Sequence, residues 1–100
     1  MNLFVNPAEE WVAKATSPDL PIGTQDFETQ LEISYLIRAQ KISPKQYSDA
    51  IKKRLQDKNA NVQLLALKLT DTLVKNSGVG FIKEMTSKGF VDLLVMIIRQ

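Results

Sequence analysis

The stretch from Lys53 to Gly78 constrains the fold of this chain more than any other part of the sequence. It reads KRLQDKNANVQLLALKLTDTLVKNSG. The apolar residues after Asn59 recur at helical spacing, and asparagine is a residue type that caps helix N-termini. Gly78 stands where a helix typically ends on a residue with left-handed backbone geometry. The stretch therefore predicts the end of one helix, a capped turn at Asn59, and a mostly apolar helix that ends at Gly78.

Start and stop signals divide the rest of the chain into further helices. Asn6-Pro7 predicts the start of a short first helix with Glu9 at the capping-box position, followed by a proline-containing loop over residues 16–24. No segment alternates apolar and polar residues for long, so we expect no sheet. The other predicted helices are the second at about 24–40, the third from Ser43-Pro44, the fourth from Asn59 to about Ser77, the fifth at about 80–86 and the sixth from after Gly89 to the end. The chain is predicted to be an all-α array of antiparallel helices.

Composition excludes several classes of function. The 100 residues contain no cysteine and no histidine, which excludes disulfides, thiolate zinc sites, cysteine nucleophiles and imidazole-based triads. The net charge of +2 is too small to indicate nucleic-acid binding, and no stretch interleaves basic and aromatic residues. The sequence therefore predicts a protein that is not an enzyme, with no cofactor and no metal.

The ends of the chain carry no membrane or export signal. The N-terminal residues lack a basic region and include acidic residues early, unlike a signal peptide. The longest apolar run, Leu93 to Ile98, is much shorter than the roughly 20 residues of a membrane-spanning helix. We therefore expect a soluble protein of the cytoplasm.

The sixth predicted helix is apolar nearly all round, from Phe90 to Ile98. Such a helix needs partners on several sides. Two explanations fit this pattern. We favour a chain that is part of a longer helical array; the alternative is self-association through residues 90–98.

The second predicted helix carries two apolar stripes. With 100° per residue, one arc of the helix forms the expected core face, and a different arc holds a second stripe that also includes Ser34 and Arg38. The second stripe is either buried by a further helix or forms a binding surface. The core arc contains Thr29, Ile33, Leu36 and Ile37, and the second stripe contains Phe27, Leu31 and Tyr35.

The fourth predicted helix shows the same pattern in a weaker form. Its broad apolar face is opposed by a polar face that includes Lys68, Asp71 and Lys75, and Leu64 falls inside that polar arc. Leu64 is therefore either an ordinary solvent-exposed leucine or part of a binding surface.

A basic cluster formed by Lys52, Lys53 and Arg54 is a candidate patch for anionic lipid. Three consecutive residues of a helix point in three directions, so a solvated helix surface explains the same cluster.

Several segments together resemble a VHS domain. These are Ala15-Thr16-Ser17, Leu31-Glu32-Ile33, KKRL at 52–55, the block from Asn59 to Gly78, and FIKEM at 81–85 followed by Phe90. The resemblance is strongest to the N-terminal domain of endosomal sorting receptors of the Hrs type, in the most upstream ESCRT complex. It implies a right-handed superhelix of eight antiparallel helices, of which this chain would contain about six. Residues 1–100 would then be a VHS domain truncated at its C-terminal end.

The resemblance also implies a function in protein sorting at endosomes. VHS domains of this kind bind ubiquitin through the second and fourth helices, where an exposed aromatic residue, often Trp, precedes a leucine by one turn. In this chain the matching residues are Phe27 and Leu31, and phenylalanine keeps the apolar side chain but lacks the indole donor. The implied ubiquitin-binding residues are Phe27, Glu28, Leu31, Leu64 and Lys68.

Partners and location follow from the same resemblance. The expected partners are ubiquitin or ubiquitinated cargo, bound weakly, and other subunits of the sorting complex, at the cytoplasmic surface of the endosome. Two alternatives remain open: binding to a membrane surface that contains phosphoinositides through Lys52, Lys53 and Arg54, as in related ENTH-type arrays, and a scaffold role without ubiquitin.

Overall fold

The structure, a computed structural model, describes residues 6–99, which contain six helices joined by turns and loops. This part contains no strand, so the predicted all-α fold is confirmed. The helices are α1 (Ala8–Ala15), α2 (Phe27–Arg38), α3 (Pro44–Leu55), α4 (Ala60–Asn76), α5 (Val79–Met85) and α6 (Lys88–Ile98).

Side-chain caps start α3 and α4 at the predicted residues. Ser43 Oγ accepts the backbone N–H of Gln46 at 3.2 Å, and Gln46 Oε1 accepts the backbone N–H of Ser43 at 3.1 Å. This pair is the predicted capping box. The Asn59 side chain accepts the N–H groups of Asn61 and Val62 at 2.9 and 3.3 Å. Both predicted caps are therefore confirmed.

Asn6 fixes the start of α1 through both ends of its amide. Its Oδ1 accepts the N–H of Ala8 at 2.9 Å, and its Nδ2 donates to the carbonyl of Gln46 at 2.7 Å. The carboxylate of Glu9, predicted to complete a capping box, instead pairs with the ammonium of Lys53 on α3. The start of α1 is thereby connected to a helix 40 residues later in the chain.

α2 begins later than the predicted start near Thr24. The Thr24 hydroxyl donates to the carbonyl of Pro21 at 2.6 Å, and its N–H donates to the same carbonyl at 3.0 Å, so Thr24 belongs to a turn. Asp26 is the actual cap, because its side chain accepts the N–H of Thr29 at 3.0 Å. An Asp at the cap position satisfies helix N–H groups that Thr24 is too far away to reach.

α2 also ends before the predicted residue Gln40. Gln40 has φ +58°, in the left-handed region, and its N–H donates to the carbonyl of Ile37 at 3.1 Å. The N–H of Lys41 then donates to the carbonyl of Leu36 at 3.0 Å. These bonds satisfy carbonyls at the end of α2 and turn the chain sharply toward α3.

Gly78 separates α4 from α5 with a backbone geometry that glycine tolerates. Its φ is +90°, as expected for a glycine that ends a helix, but its ψ of −179° is extended. The predicted positive φ is confirmed, whereas the helical left-handed geometry is not. The extended ψ redirects the chain immediately into α5, which therefore starts at Val79 and not at Gly80.

The core lies around α3 and α4. α3 contacts α1, α4, α5 and α6, and α4 contacts α1, α2, α3 and α5. Fifteen buried apolar residues form one cluster, so the six helices share a single core. The largest of these side chains are Tyr47, Phe81, Phe90, Ile33, Ile51, Leu55, Leu69 and Leu73.

α6 buries only part of its apolar surface. Phe90 is fully buried, and Leu93, Leu94 and Ile97 pack against the core in half-buried positions. Val91, Val95 and Met96 are exposed. The contacts of α6 with α3 and α5 therefore cover one side of a helix that is apolar on several.

Tyr47 is buried without a hydrogen-bond partner for its hydroxyl within the described residues. Burial, and then the charge of Glu32, raises the pKa of Tyr47 to about 12, so the hydroxyl stays protonated at neutral pH. Because an unpaired buried hydroxyl opposes folding, we expect Tyr47→Phe to raise the free energy of unfolding by up to about 1 kcal/mol in urea denaturation. The exposed Tyr35→Phe is the matched control and should have no effect. A stability loss in Tyr47→Phe would show that the hydroxyl is satisfied in solution.

Candidate protein-interaction surface

The second apolar stripe of α2 faces solvent. Phe27, Leu31 and Tyr35 are 59%, 57% and 52% exposed. On the opposite side of the same helix, Ile33 and Ile37 are buried in the core. The sequence therefore separates the two stripes correctly, and no helix in residues 6–99 covers the outer one. We call Phe27, Leu31 and Tyr35 the α2 stripe.

One residue in the predicted arc of the α2 stripe lies inside the protein. Ser34 is buried, and its hydroxyl donates to the carbonyl of Gln30 at 3.2 Å. Ser34 follows by one turn Gln30, which bonds Thr72 on α4, and its burial means that it borders the α2 stripe instead of contributing to it. Arg38, which lies in the same arc at the C-terminal end of α2, is exposed.

A buried amide positions α2 against α4. Gln30 is fully buried, and its Oε1 accepts the hydroxyl proton of Thr72 on α4 at 2.8 Å. Its Nε2 donates to Gln25 Oε1 at 3.1 Å. A fully buried glutamine with both ends bonded specifies one relative placement of the two helices. Sequence reasoning missed this residue; a glutamine between the two arcs of α2 is the only signal that could have indicated it.

The Gln30–Thr72 bond also shows where the predicted binding residues of α4, Leu64 and Lys68, lie relative to the α2 stripe. Leu64 is 46% exposed and Lys68 is half-buried. At 1.5 Å per residue, Lys68 lies about 6 Å and Leu64 about 12 Å along α4 from Thr72. The exposed ion pair Asp71–Lys75, with 2.9 Å between Oδ2 and Nζ, is nearer to the contact with α2 than Leu64 is.

Glu28 lies on the other flank of the α2 stripe, toward α1. It is exposed and lines a cavity of about 360 Å³ together with Trp11 and Glu32. The α2 stripe is therefore bordered by carboxylates on the α1 side and by the polar face of α4 on the other. An apolar centre with a polar rim is the usual composition of a protein-binding surface.

Asp26 anchors the end of α2 that carries Phe27. The Thr29 hydroxyl donates to Asp26 Oδ2 at 2.7 Å, and this bond, followed by the one from the Thr29 N–H, lowers the pKa of Asp26 below its ordinary value of 3.8. A lowered pKa stabilises the fold above pH 3.8, and the contribution is lost as the pH falls through the lowered value.

We therefore expect acid to weaken the native chain more than the variant Asp26→Asn, which can still cap α2 but cannot titrate. Urea denaturation at a series of pH values below 3.8 measures this difference. Parallel loss of stability in both proteins would show that other carboxyl groups determine the acid response.

The predicted basic cluster is engaged within the protein. Lys53 pairs with Glu9, and Lys52 Nζ lies 4.0 Å from Asp49 Oδ1. Arg54 Nε donates to Thr16 Oγ1 at 2.8 Å, and Arg54 Nη2 donates to the Thr16 carbonyl at 3.1 Å. The structure therefore does not bring the three cations together as one free patch.

Thr16 and Arg54 connect the end of α1 to the end of α3. Thr16 is fully buried, and its hydroxyl also donates to the carbonyl of Val12 at 2.7 Å. These two residues belong to two separate segments of the resemblance noted in the sequence, 38 residues apart. Their contact gives that pattern a structural explanation.

Neither a metal centre nor a membrane span is evident in residues 6–99. No three acidic, histidine or cysteine side chains of this part of the chain gather closely enough to hold a metal ion. None of the helices described here combines the length and the apolar character needed to cross a bilayer.

Comparison with known proteins gives a family. The family model described as "VHS domain" matches residues 2–100. Similar curated proteins include vacuolar protein sorting-associated protein 27 of Mycosarcoma maydis, 44% identical over 90 residues, and that of Yarrowia lipolytica, 46% identical over 91 residues. These matches cover 90% and 91% of this chain but only 10% and 16% of the two relatives.

A solved structure shares the fold. The crystal structure of the VHS and FYVE tandem domains of Hrs, a protein involved in membrane trafficking and signal transduction, superposes with a TM-score of 0.84 at 23% identity. The superposition covers 98% of this chain and 44% of that one. The all-helical architecture and the family model agree, and the chain belongs to the VHS domain family.

Proposed function

We propose that this chain is a ubiquitin-binding module that acts in the sorting of ubiquitinated membrane cargo at endosomes. The exposed α2 stripe is the observation that carries the proposal, because Phe27 and Leu31 present apolar surface that the core does not use. The relatives named for vacuolar protein sorting, and the membrane-trafficking role stated for Hrs, support the sorting context.

The proposed binding site consists of Phe27 and Leu31 at its centre, with Glu28, Leu64 and Lys68 around them. The two central side chains would pack against the hydrophobic patch of ubiquitin, and the polar groups would form the rim. A surface formed by two apolar side chains on one helix is small compared with the roughly 1,600 Å² of a standard interface, so binding is weak. Sorting would then depend on several ubiquitin-binding elements acting together through effective concentration.

The proposed role is recognition, with no catalytic step. The partners would be ubiquitinated cargo and other subunits of a sorting complex, and the location would be the cytoplasmic face of the endosome membrane. This part of the proposal rests on the family and on the names of its relatives.

Membrane binding through Lys52, Lys53 and Arg54 is the second candidate function. Each of these cations already has a partner in the protein, so fewer free charges are available to attract anionic lipid. Sedimentation with vesicles that contain phosphatidylserine and a phosphoinositide tests it directly. Salt-sensitive binding that is lost in Lys52→Gln/Lys53→Gln would favour this candidate over the ubiquitin site.

Self-association through α6 is a third candidate, supported by the exposed Val91, Val95 and Met96. Analytical ultracentrifugation over a range of concentrations tests it. A single monomeric species at all concentrations would exclude this candidate.

Titration of the ¹⁵N-labelled chain with unlabelled monoubiquitin tests the ubiquitin site. We expect amide shifts that change progressively with ubiquitin concentration and concentrate in α2 around Phe27 and Leu31, with smaller shifts on α4. Shifts that avoid α2, or no shifts at millimolar ubiquitin, would contradict the proposed site.

A further inference from the structure

Tyr35 is the third residue of the α2 stripe, and the ubiquitin site proposed above does not include it. Its side chain is 52% exposed, and its hydroxyl forms no hydrogen bond with residues 6–99. Aromatic side chains bring a large apolar area to an interface, and tyrosine is enriched among the residues that dominate binding. The ring of Tyr35 is therefore available to a partner that binds on the outer side of α2.

Tyr35 extends the apolar surface of Phe27 and Leu31 by one more helical turn. The three residues are spaced by four, so each lies about 6 Å further along the helix axis than the one before. Leucine and tyrosine side chains four residues apart on a helix contact each other favourably. The α2 stripe is therefore one continuous apolar surface about 12 Å long, twice the length that Phe27 and Leu31 span without Tyr35.

The α2 stripe winds away from α4 as it approaches Tyr35. Each step of four residues moves the side chain by about 40° around the helix axis. Gln30, which bonds Thr72, marks the side of α2 that faces α4. Gln30 lies about 60° from Phe27 but about 140° from Tyr35. Tyr35 therefore lies toward the side of the helix that carries the exposed carboxylate of Glu32, and not toward α4.

Tyr35 and Leu64 lie near opposite ends of the exposed surface, because α2 and α4 run in the same general direction. Gln30 bonds Thr72, and further along both helices the last residue of α2 lines the same cavity as Ser77, which follows α4. Leu64 precedes Thr72 by eight residues, so it lies toward the N-terminal end of α2. A partner that contacts Tyr35 is therefore centred away from Leu64.

We infer that Tyr35 contacts the hydrophobic patch of ubiquitin directly and that the interface is centred on Leu31. This inference rests on the proposed ubiquitin-binding function and extends its site. Phe27 and Tyr35 bind on either side of Leu31, one turn away in each direction, and Leu64 lies at the rim. Residues near the centre of an interface contribute most of the affinity, so Tyr35 contributes more than Leu64.

The affinities of three variants for monoubiquitin test this order. We expect Tyr35→Ala to bind at least about fivefold more weakly than the native chain, and Leu64→Ala less than about twofold more weakly. Tyr35→Phe keeps the ring and should stay within about twofold of the native affinity. Native affinity in Tyr35→Ala, or a larger loss in Leu64→Ala, would overturn the inference. Equal losses in Tyr35→Phe and Tyr35→Ala would assign the contact to the hydroxyl and would also contradict the apolar contact.

Nuclear Overhauser effects between the Tyr35 ring protons and the methyl groups of ¹³C-labelled ubiquitin measure the contact itself. A merely structural role of Tyr35 would not produce them, so we expect these effects in the native complex. Val91→Ala is the matched control for Tyr35→Ala, because Val91 is 42% exposed on α6 and should leave the affinity unchanged. Circular dichroism checks that both variants are folded. Absence of the Tyr35 effects, where those of Leu31 are observed, would overturn the inference.

Failure of this inference is distinguishable from failure of the proposed function. A native chain that does not bind monoubiquitin at millimolar concentration would overturn both. If Phe27→Ala/Leu31→Ala loses binding whereas Tyr35→Ala keeps the native affinity, the ubiquitin site on α2 stands and only the role of Tyr35 is wrong.

Discussion

We expect the double variant Phe27→Ala/Leu31→Ala to bind monoubiquitin at least about tenfold more weakly than the native chain. Both side chains are more than half exposed, so their truncation removes apolar contact area from the proposed interface. The loss of about 60 Å² of buried apolar area corresponds to about 1.5 kcal/mol, or about tenfold in affinity. Isothermal titration calorimetry or NMR titration measures the change, and circular dichroism checks that the variant is folded.

Ile22→Ala is the matched control for the double variant. Ile22 is 90% exposed and lies in the loop between α1 and α2, outside the α2 stripe. We expect native affinity in this control and a smaller loss in Leu64→Ala than in Phe27→Ala, because Leu64 is about 12 Å along α4 from Thr72. Native affinity in the double variant would show that ubiquitin does not bind at the α2 stripe.

Arg54→Ala should lower the free energy of unfolding by about 2 kcal/mol. The substitution removes two charge-assisted hydrogen bonds to Thr16, at 2.8 and 3.1 Å, and leaves the carbonyl of a buried residue without its donor. Urea denaturation followed by circular dichroism measures the loss. Arg54→Lys should recover little stability, since a single ammonium cannot reproduce the paired geometry of the guanidinium.

Lys53→Ala is the matched control for Arg54→Ala. Lys53 is exposed and its ion pair with Glu9 is at the surface, where such pairs contribute about 0 to 1 kcal/mol. Equal effects of Lys53→Ala and Arg54→Ala would contradict the structural role assigned to Arg54. Such a result would mean that Thr16 does not hold the Arg54 side chain. Arg54 would then be free to contact anionic lipid, as the membrane-binding alternative requires.

Local signals in the sequence were sufficient to predict most of the helices. The caps at Ser43 and Asn59 are side-chain contacts over two or three residues, so composition at those positions determines them. The predicted start of α2 is wrong because Thr24 and Asp26 are both good capping residues, and Thr24 instead bonds the carbonyl of Pro21 in a local turn. The extended ψ of Gly78 could not be predicted from the sequence either, because a positive φ alone does not determine ψ.

The α2 stripe could be predicted because it depends on the period of one helix. The residues that border the α2 stripe could not be predicted, because they depend on which helices pack against each other. The position of Gln30 between the two arcs of α2 does not identify its partner Thr72, 42 residues away, and the sequence does not indicate that Arg54 bonds Thr16 instead of facing solvent.

The central position of α3 has a consequence for synthesis in the cell. α3 is in contact with α5 and α6, which are made after α1 to α4, and the fully buried Phe81 and Phe90 come from those two helices. Until Phe90 has left the ribosome, a nascent chain that has formed α1 to α4 still exposes apolar core surface on α3. Transient exposure of apolar core surface favours aggregation until α5 and α6 have packed against α3.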